Sequence, residues 1–134
     1  VVAAEHALLS TPFVALGLVP EAGSSMIAPR LMGRARAFEL LVMGRPLSAA
    51  AAKEAGIVTA VVPAAELESA VLAAAREIAA LPPHAVAASR RLIRGNVAQI
   101  DGHIDAEAEA FRKRLASPEA KAAFAAFLGK KKER

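Results

Sequence analysis

Apolar residues recur at helical spacing through the second half of the chain. Leu67, Val71, Ala74, Ile78 and Leu81 form one stripe, which ends at Pro82-Pro83. Val86, Ile93, Val97 and Ile100 form the next, up to Asp101-Gly102, and Ile104, Ala108, Phe111 and Leu115 a third. Ser117 and Pro118 open a last helix with Ala120, Phe124 and Phe127 on its apolar face. The first half is less regular. Residues 1–4 read as a short buried strand, and 57–62 as a second, β-branched and closed by Pro63. Residues 11–19 are apolar but interrupted by Pro12 and Gly17, which predicts an irregular loop with strand character. A helix is predicted over 20–32, ended by Gly33 and broken or kinked at Pro29, and another over 36–43, stopped by Gly44. Ser48 suits the N-cap of a helix over 49–55, with Gly56 as its stop.

Two short strands do not make an independently stable sheet, so the pattern predicts that they complete a sheet supplied by other residues or by another chain. Composition points the same way. Apolar residues are 55% of the chain, enough for a folded domain, yet 35 of the 134 residues are Ala and the aromatics are five Phe, so bulky core side chains are scarce. Pro63 divides the chain into a strand-containing part, 1–63, and a helical part, 64–134. A chain that begins at Val1 and not at Met reads as partial or processed. With no Cys, disulfide frameworks, thiolate zinc sites and thiol nucleophiles are excluded. No apolar run reaches the ~20 residues of a membrane span, and no signal peptide is visible. The expectation is a cytoplasmic protein with no membrane partner.

Net charge is +4, but the stretch from Lys130 to Arg134 carries most of it, as a solvated helix end would. No phosphate loop, nucleophile elbow or paired-histidine zinc motif is present. His6, His84 and His103 are scattered and read as surface or packing residues, so no metal is expected. Arg90, Arg91 and Arg94 form a basic face without interleaved aromatics, which argues against nucleic acid as a partner. Glu21 stands out as a lone carboxylate behind an uncharged run, between Pro20 and a small-residue turn. Apolar surroundings would raise its pKa toward the range useful for moving a proton near neutrality. A carboxylate stabilising the positive end of a helix fits the same position.

Longer stretches resemble a known family. Leu-Gly-Leu-Val-Pro-Glu-Ala-Gly-Ser-Ser at 16–25, Pro29-Arg30-Leu31-Met32-Gly33, and Ala52-Lys53-Glu54-Ala55-Gly56-Ile57-Val58 are similar to the crotonase, or enoyl-CoA hydratase/isomerase, superfamily. Leu81-Pro82-Pro83, the 90–94 basic segment, Ser117-Pro118-Glu119-Ala120 and Phe127-Leu128-Gly129-Lys130 extend the resemblance to the end, toward the peroxisomal-type Δ3,Δ2-enoyl-CoA isomerase branch.

The resemblance implies an α/β fold, the C-terminal half of a ββα spiral followed by a helical oligomerisation region, in a homotrimer or hexamer. It implies an acyl-CoA substrate, with coenzyme A as part of that substrate and no separate cofactor, and a place in fatty-acid β-oxidation. Glu21 matches the isomerase base, and Phe13 matches the second glutamate of the hydratases. Phe111 and Lys130 match positions that touch CoA. For Phe111 helix packing stands as the alternative, and for Lys130 a solvated tail. The oxyanion-hole amides and the first hydratase glutamate fall before Val1. The activity expected is enoyl-CoA isomerisation. The alternatives are enoyl-CoA hydration and, in a different class, a non-catalytic assembly module.

Overall fold

A computed structural model describes the backbone of residues 1–132 and the side chains of residues 1–129. In chain order the elements are β1 (Val2–Ala4), β2 (Leu8–Leu9), α1 (Ser24–Leu41), β3 (Leu47–Ser48), α2 (Ala49–Glu54), β4 (Ala60–Val62), α3 (Leu67–Ala79), α4 (Pro83–Arg94), α5 (Val97–Leu115) and α6 (Pro118–Lys132). They group into two compact units that interleave along the sequence. One comprises Val1–Leu9 with Ser48–Ala98, the other Ser10–Leu47 with Gln99–Arg134. The division therefore does not follow chain order, whereas the composition shift at Pro63 suggests a simple N-terminal and C-terminal split.

In the first unit the two predicted strands pair with each other. β1 and β4 run parallel, with Val2 opposite Ala60, Ala3 opposite Val61 and Ala4 opposite Val62. The ladder extends by one bond at each end, Glu5 N–H to the Val62 carbonyl at 2.9 Å and Thr59 N–H to the Val1 carbonyl at 2.8 Å. A parallel pair requires a crossover, and α2 lies on it. Ser48 caps α2 as its chemistry predicts, its hydroxyl accepting from Ala51 N–H at 3.2 Å. Ala49, Ala52, Ala55 and Val58 are buried there, so the alanines that look like weak core material are what lets α2 lie close to its neighbours. The apolar stripes of α3 and α4 are only partly used. Ile78 and Leu81 are more than half exposed, and Leu92 and Ile93 are 83% and 87% exposed.

In the second unit, Ala28, Ala37, Leu40 and Leu41 of α1 form a buried cluster, against which Phe13, Met32 and Leu47 pack. Thr11 Oγ1 donates to the Leu40 carbonyl at 2.6 Å and ties the preceding loop to the helix. That loop holds a 3-10 turn, Val14–Leu16, and not a strand. Gly17 closes the turn at φ 72°, and a Cβ on it would lie 2.8 Å from the Ala120 backbone nitrogen. Only glycine permits so close an approach of the turn to the start of α6.

Three predicted boundaries are corrected. α1 begins at Ser24 and not at residue 20, because Ala22 (φ 58°) and Gly23 (φ 78°) turn the chain out of the helical region. Pro29 is accommodated inside the helix, and the interruption falls at Gly33 (φ 78°, ψ 160°), after which the helix resumes. The break predicted at Asp101-Gly102 lies instead at Gly95 (φ 69°, ψ −145°), and α5 runs through Gly102 without interruption. A glycine inside a helix costs only about 1 kcal/mol, and the packing of Ile100 and Ile104 beside Gly23 outweighs it. Among the described residues no helix is long and apolar enough to cross a membrane.

Candidate functional site

The segment singled out by its sequence lies wholly in the second unit. Leu16 and Leu18 fold back on Phe13, the Leu18 amide donating to the Phe13 carbonyl at 2.9 Å, and Leu18 is buried. The chain then passes through Val19 and Pro20 to Glu21, which is exposed. The uncharged run before Glu21 therefore builds a packed turn. It does not enclose the carboxylate, and the apolar surroundings expected from the sequence are not supplied by these residues. Among the described residues the Glu21 carboxylate has no hydrogen-bond or ion-pair partner.

Residues 21–25 make a tight, fully bonded entry to α1. Ala22 sits in the left-handed region, an uncommon and costly place for a residue with a Cβ. Three successive amides are then satisfied. Gly23 N–H donates to Glu107 Oε2 at 2.6 Å, Ser24 N–H to the Glu21 carbonyl at 3.1 Å, and Ser25 N–H to Glu107 Oε1 at 2.9 Å. The Ser25 hydroxyl also donates to Glu107 Oε1, and it lies 2.9 Å from His103 Nε2. His103 precedes Glu107 by one turn of α5, with Nε2 3.7 Å from the carboxylate.

The carboxylate at the positive end of α1 is thus Glu107, from another helix. Glu21, which sequence reasoning also considered for that position, precedes the helix and is free of it. Glu107 is the buried charged residue of the described chain, at 7% exposure, and sequence reasoning passed over it. A signal was present: with Ile100, Ile104 and Phe111 it falls on the apolar face of α5, where an unpaired acid is not expected.

Beside this turn an apolar cavity of about 440 Å³ runs along α1, lined by Pro20, Pro29, Ala37, Phe38, Leu41 and Val42 among others. Phe111 is half-buried on α5, one turn beyond Glu107. The Lys130 side chain lies outside the described residues. Arg30 and the arginines of α4 are exposed and take no part in the site. Among the described residues no group of His, Asp or Glu is placed to hold a metal ion.

A family model described as Enoyl-CoA hydratase/isomerase matches residues 1–134. Enoyl-CoA delta isomerase 2 of Rattus norvegicus is 42% identical over 96 residues, covering 72% of this chain and 25% of that protein. A probable enoyl-CoA hydratase of Rhizobium meliloti (strain 1021) is 32% identical over 133 residues, 98% of this chain and 52% of that protein. Among solved structures, an enoyl-CoA hydratase/isomerase from Pseudoalteromonas atlantica T6c superposes with a TM-score of 0.92 at 40% identity, over 96% of this chain and 52% of that chain. The chain spans between a quarter and about half of the length of these relatives.

Proposed function

The chain belongs to the enoyl-CoA hydratase/isomerase family and has its α/β crotonase fold, and on that premise we propose that the protein is a Δ3,Δ2-enoyl-CoA isomerase in which Glu21 is the proton shuttle. The carboxylate removes a proton from C2 of a 3-enoyl-CoA. The electron pair of the C2–H bond delocalises over the C3=C4 double bond and the thioester carbonyl as a dienolate. Glu21 then returns the same proton to C4, which leaves the double bond between C2 and C3. Neither water nor an oxidant is consumed, and one carboxylate suffices because a single group takes and gives the proton. The resemblance assigns the amides that would hold the thioester oxygen to residues outside 1–134.

One observation carries the choice of isomerisation over hydration. Phe13, at the position the resemblance assigns to the second hydratase glutamate, packs against the buried α1 cluster. An aromatic ring does no acid-base work, and both oxygens of the nearby Glu107 are engaged. Glu21 remains as the uncommitted carboxylate of the segment. The apolar cavity beside Pro20 suits a hydrocarbon chain. On the same reading Phe111 and Lys130 contact CoA, the substrate comes from fatty-acid β-oxidation, and the exposed apolar residues of α3 and α4 support assembly into trimers or hexamers.

The test is Glu21→Gln in the protein expressed from its complete coding sequence. Isomerisation of a 3-enoyl-CoA should fall about 10²–10⁴-fold while acyl-CoA binding persists. Unchanged turnover would remove Glu21 from the role. Efficient addition of water to a 2-enoyl-CoA by the unmodified protein would favour hydration instead.

A further inference from the structure

We propose that Glu107 is a positioning residue for Glu21, holding the turn that presents the proton shuttle through the amides of Gly23 and Ser25. This rests on the assignment of Glu21 as the base. The turn between Glu21 and α1 contains two consecutive left-handed residues, and the first, Ala22, carries a Cβ that disfavours this conformation by roughly 1–2 kcal/mol. Nothing local compensates for it. The N-cap residue is Gly23, which has no side chain with which to bond the first amides of the helix. Those amides are satisfied by a carboxylate 84 and 82 residues away in the sequence.

The bonding order makes the coupling specific to Glu21. The Ser24 amide, between the two that Glu107 holds, donates to the Glu21 carbonyl. The backbone of the base is therefore clamped between two bonds to one buried side chain. If Glu107 can no longer accept from both amides, Ala22 has no reason to stay left-handed, and Glu21 moves with it. Ser25 Oγ and His103 in turn hold the carboxylate in place. Glu107 does not act on substrate itself: it is buried, and its two oxygens are occupied by three donors. A displacement of about 1 Å at a reacting group costs on the order of 100-fold in rate.

The experiment compares Glu107→Gln, Glu21→Gln and the double variant in the protein expressed from its complete coding sequence, with rates expressed per site titrated by a saturated acyl-CoA. Gln accepts from one amide and presents its NH2 group to the other. Glu107→Gln should lower kcat for 3-enoyl-CoA isomerisation by roughly 100-fold with KM unchanged. The double variant should be no slower than Glu21→Gln alone, because Glu107 acts only through Glu21. If Glu107→Gln does not fold, Glu107→Asp keeps the charge but reaches only one amide, and the same kcat loss with unchanged KM is expected. Full turnover by Glu21→Gln would overturn the base assignment and this inference together. Loss of activity in Glu21→Gln with unchanged kcat in the Glu107 variants would overturn this inference alone, as would additive losses in the double variant.

Discussion

Glu107 Oε2 and the Gly23 amide meet at 2.6 Å although 84 residues separate them in the chain. This bond and its partner at Ser25 join α5 to the start of α1, so the same carboxylate that shapes the turn also bears on stability. Replacing Glu107 by Leu leaves the Gly23 and Ser25 amides without an acceptor in a buried setting. The expected loss is about 2–3 kcal/mol, read from the denaturation midpoint at unchanged slope.

Gly17 is the second fixed point of this unit. Its carbonyl accepts from Arg114 Nε at 3.1 Å, and Arg114 also pairs with Glu119 at the start of α6. Gly17→Ala places a methyl group against the Ala120 backbone and forces a left-handed φ on a residue with a Cβ. A destabilisation of about 2–4 kcal/mol is expected by chemical denaturation. An unchanged midpoint would show that the α6 end moves away freely.

Phe13→Glu restores the residue type that the resemblance assigns to the hydratases. In this chain the ring packs on Ala28, Ala37, Leu40 and Leu41, so the carboxylate would enter an apolar cluster without a partner. The variant should lose about 2–4 kcal/mol of stability and gain no hydration of 2-enoyl-CoA. Appearance of hydratase activity in a stable protein would contradict the packing role.

On the exposed face of α5, Lys113, which bonds to Glu109 at 3.3 Å, together with Arg112 holds the Glu109 carboxyl below its ordinary range. Its folded pKa lies below the unfolded one. The small stabilisation is therefore present above the unfolded value and lost as the pH falls through the folded value. Carboxyl-resolved NMR titration should give a depressed midpoint, which moves back toward the unfolded value in 1 M salt. A midpoint insensitive to both salt and Lys113→Met would show that the pairing is absent in solution.

Local chemistry was readable wherever neighbours in sequence are neighbours in space. Ser48 caps α2, Pro118 opens α6 and the β-branched run before Pro63 forms β4. Glycine was a less reliable guide, since Gly95 breaks the chain and Gly102 does not. The difference is that α5 around Gly102 is held by Ile100 and Ile104 beside Gly23, a contact that spacing along the chain does not contain. Two two-residue strands, β2 and β3, were missed because elements so short leave no periodicity to read.

Read by itself, the sequence determined the α/β class, most helices, the family resemblance and Glu21 as the carboxylate to watch, because capping, periodicity and motif strings are local. Only the tertiary structure decided that β1 pairs with β4 in parallel, that Phe13 is a packing residue, and that Glu107 occupies the positive end of α1. The physical reason is the same in each case. A buried polar group or an unpaired strand edge must find a partner, and which distant residue supplies it depends on how the elements pack.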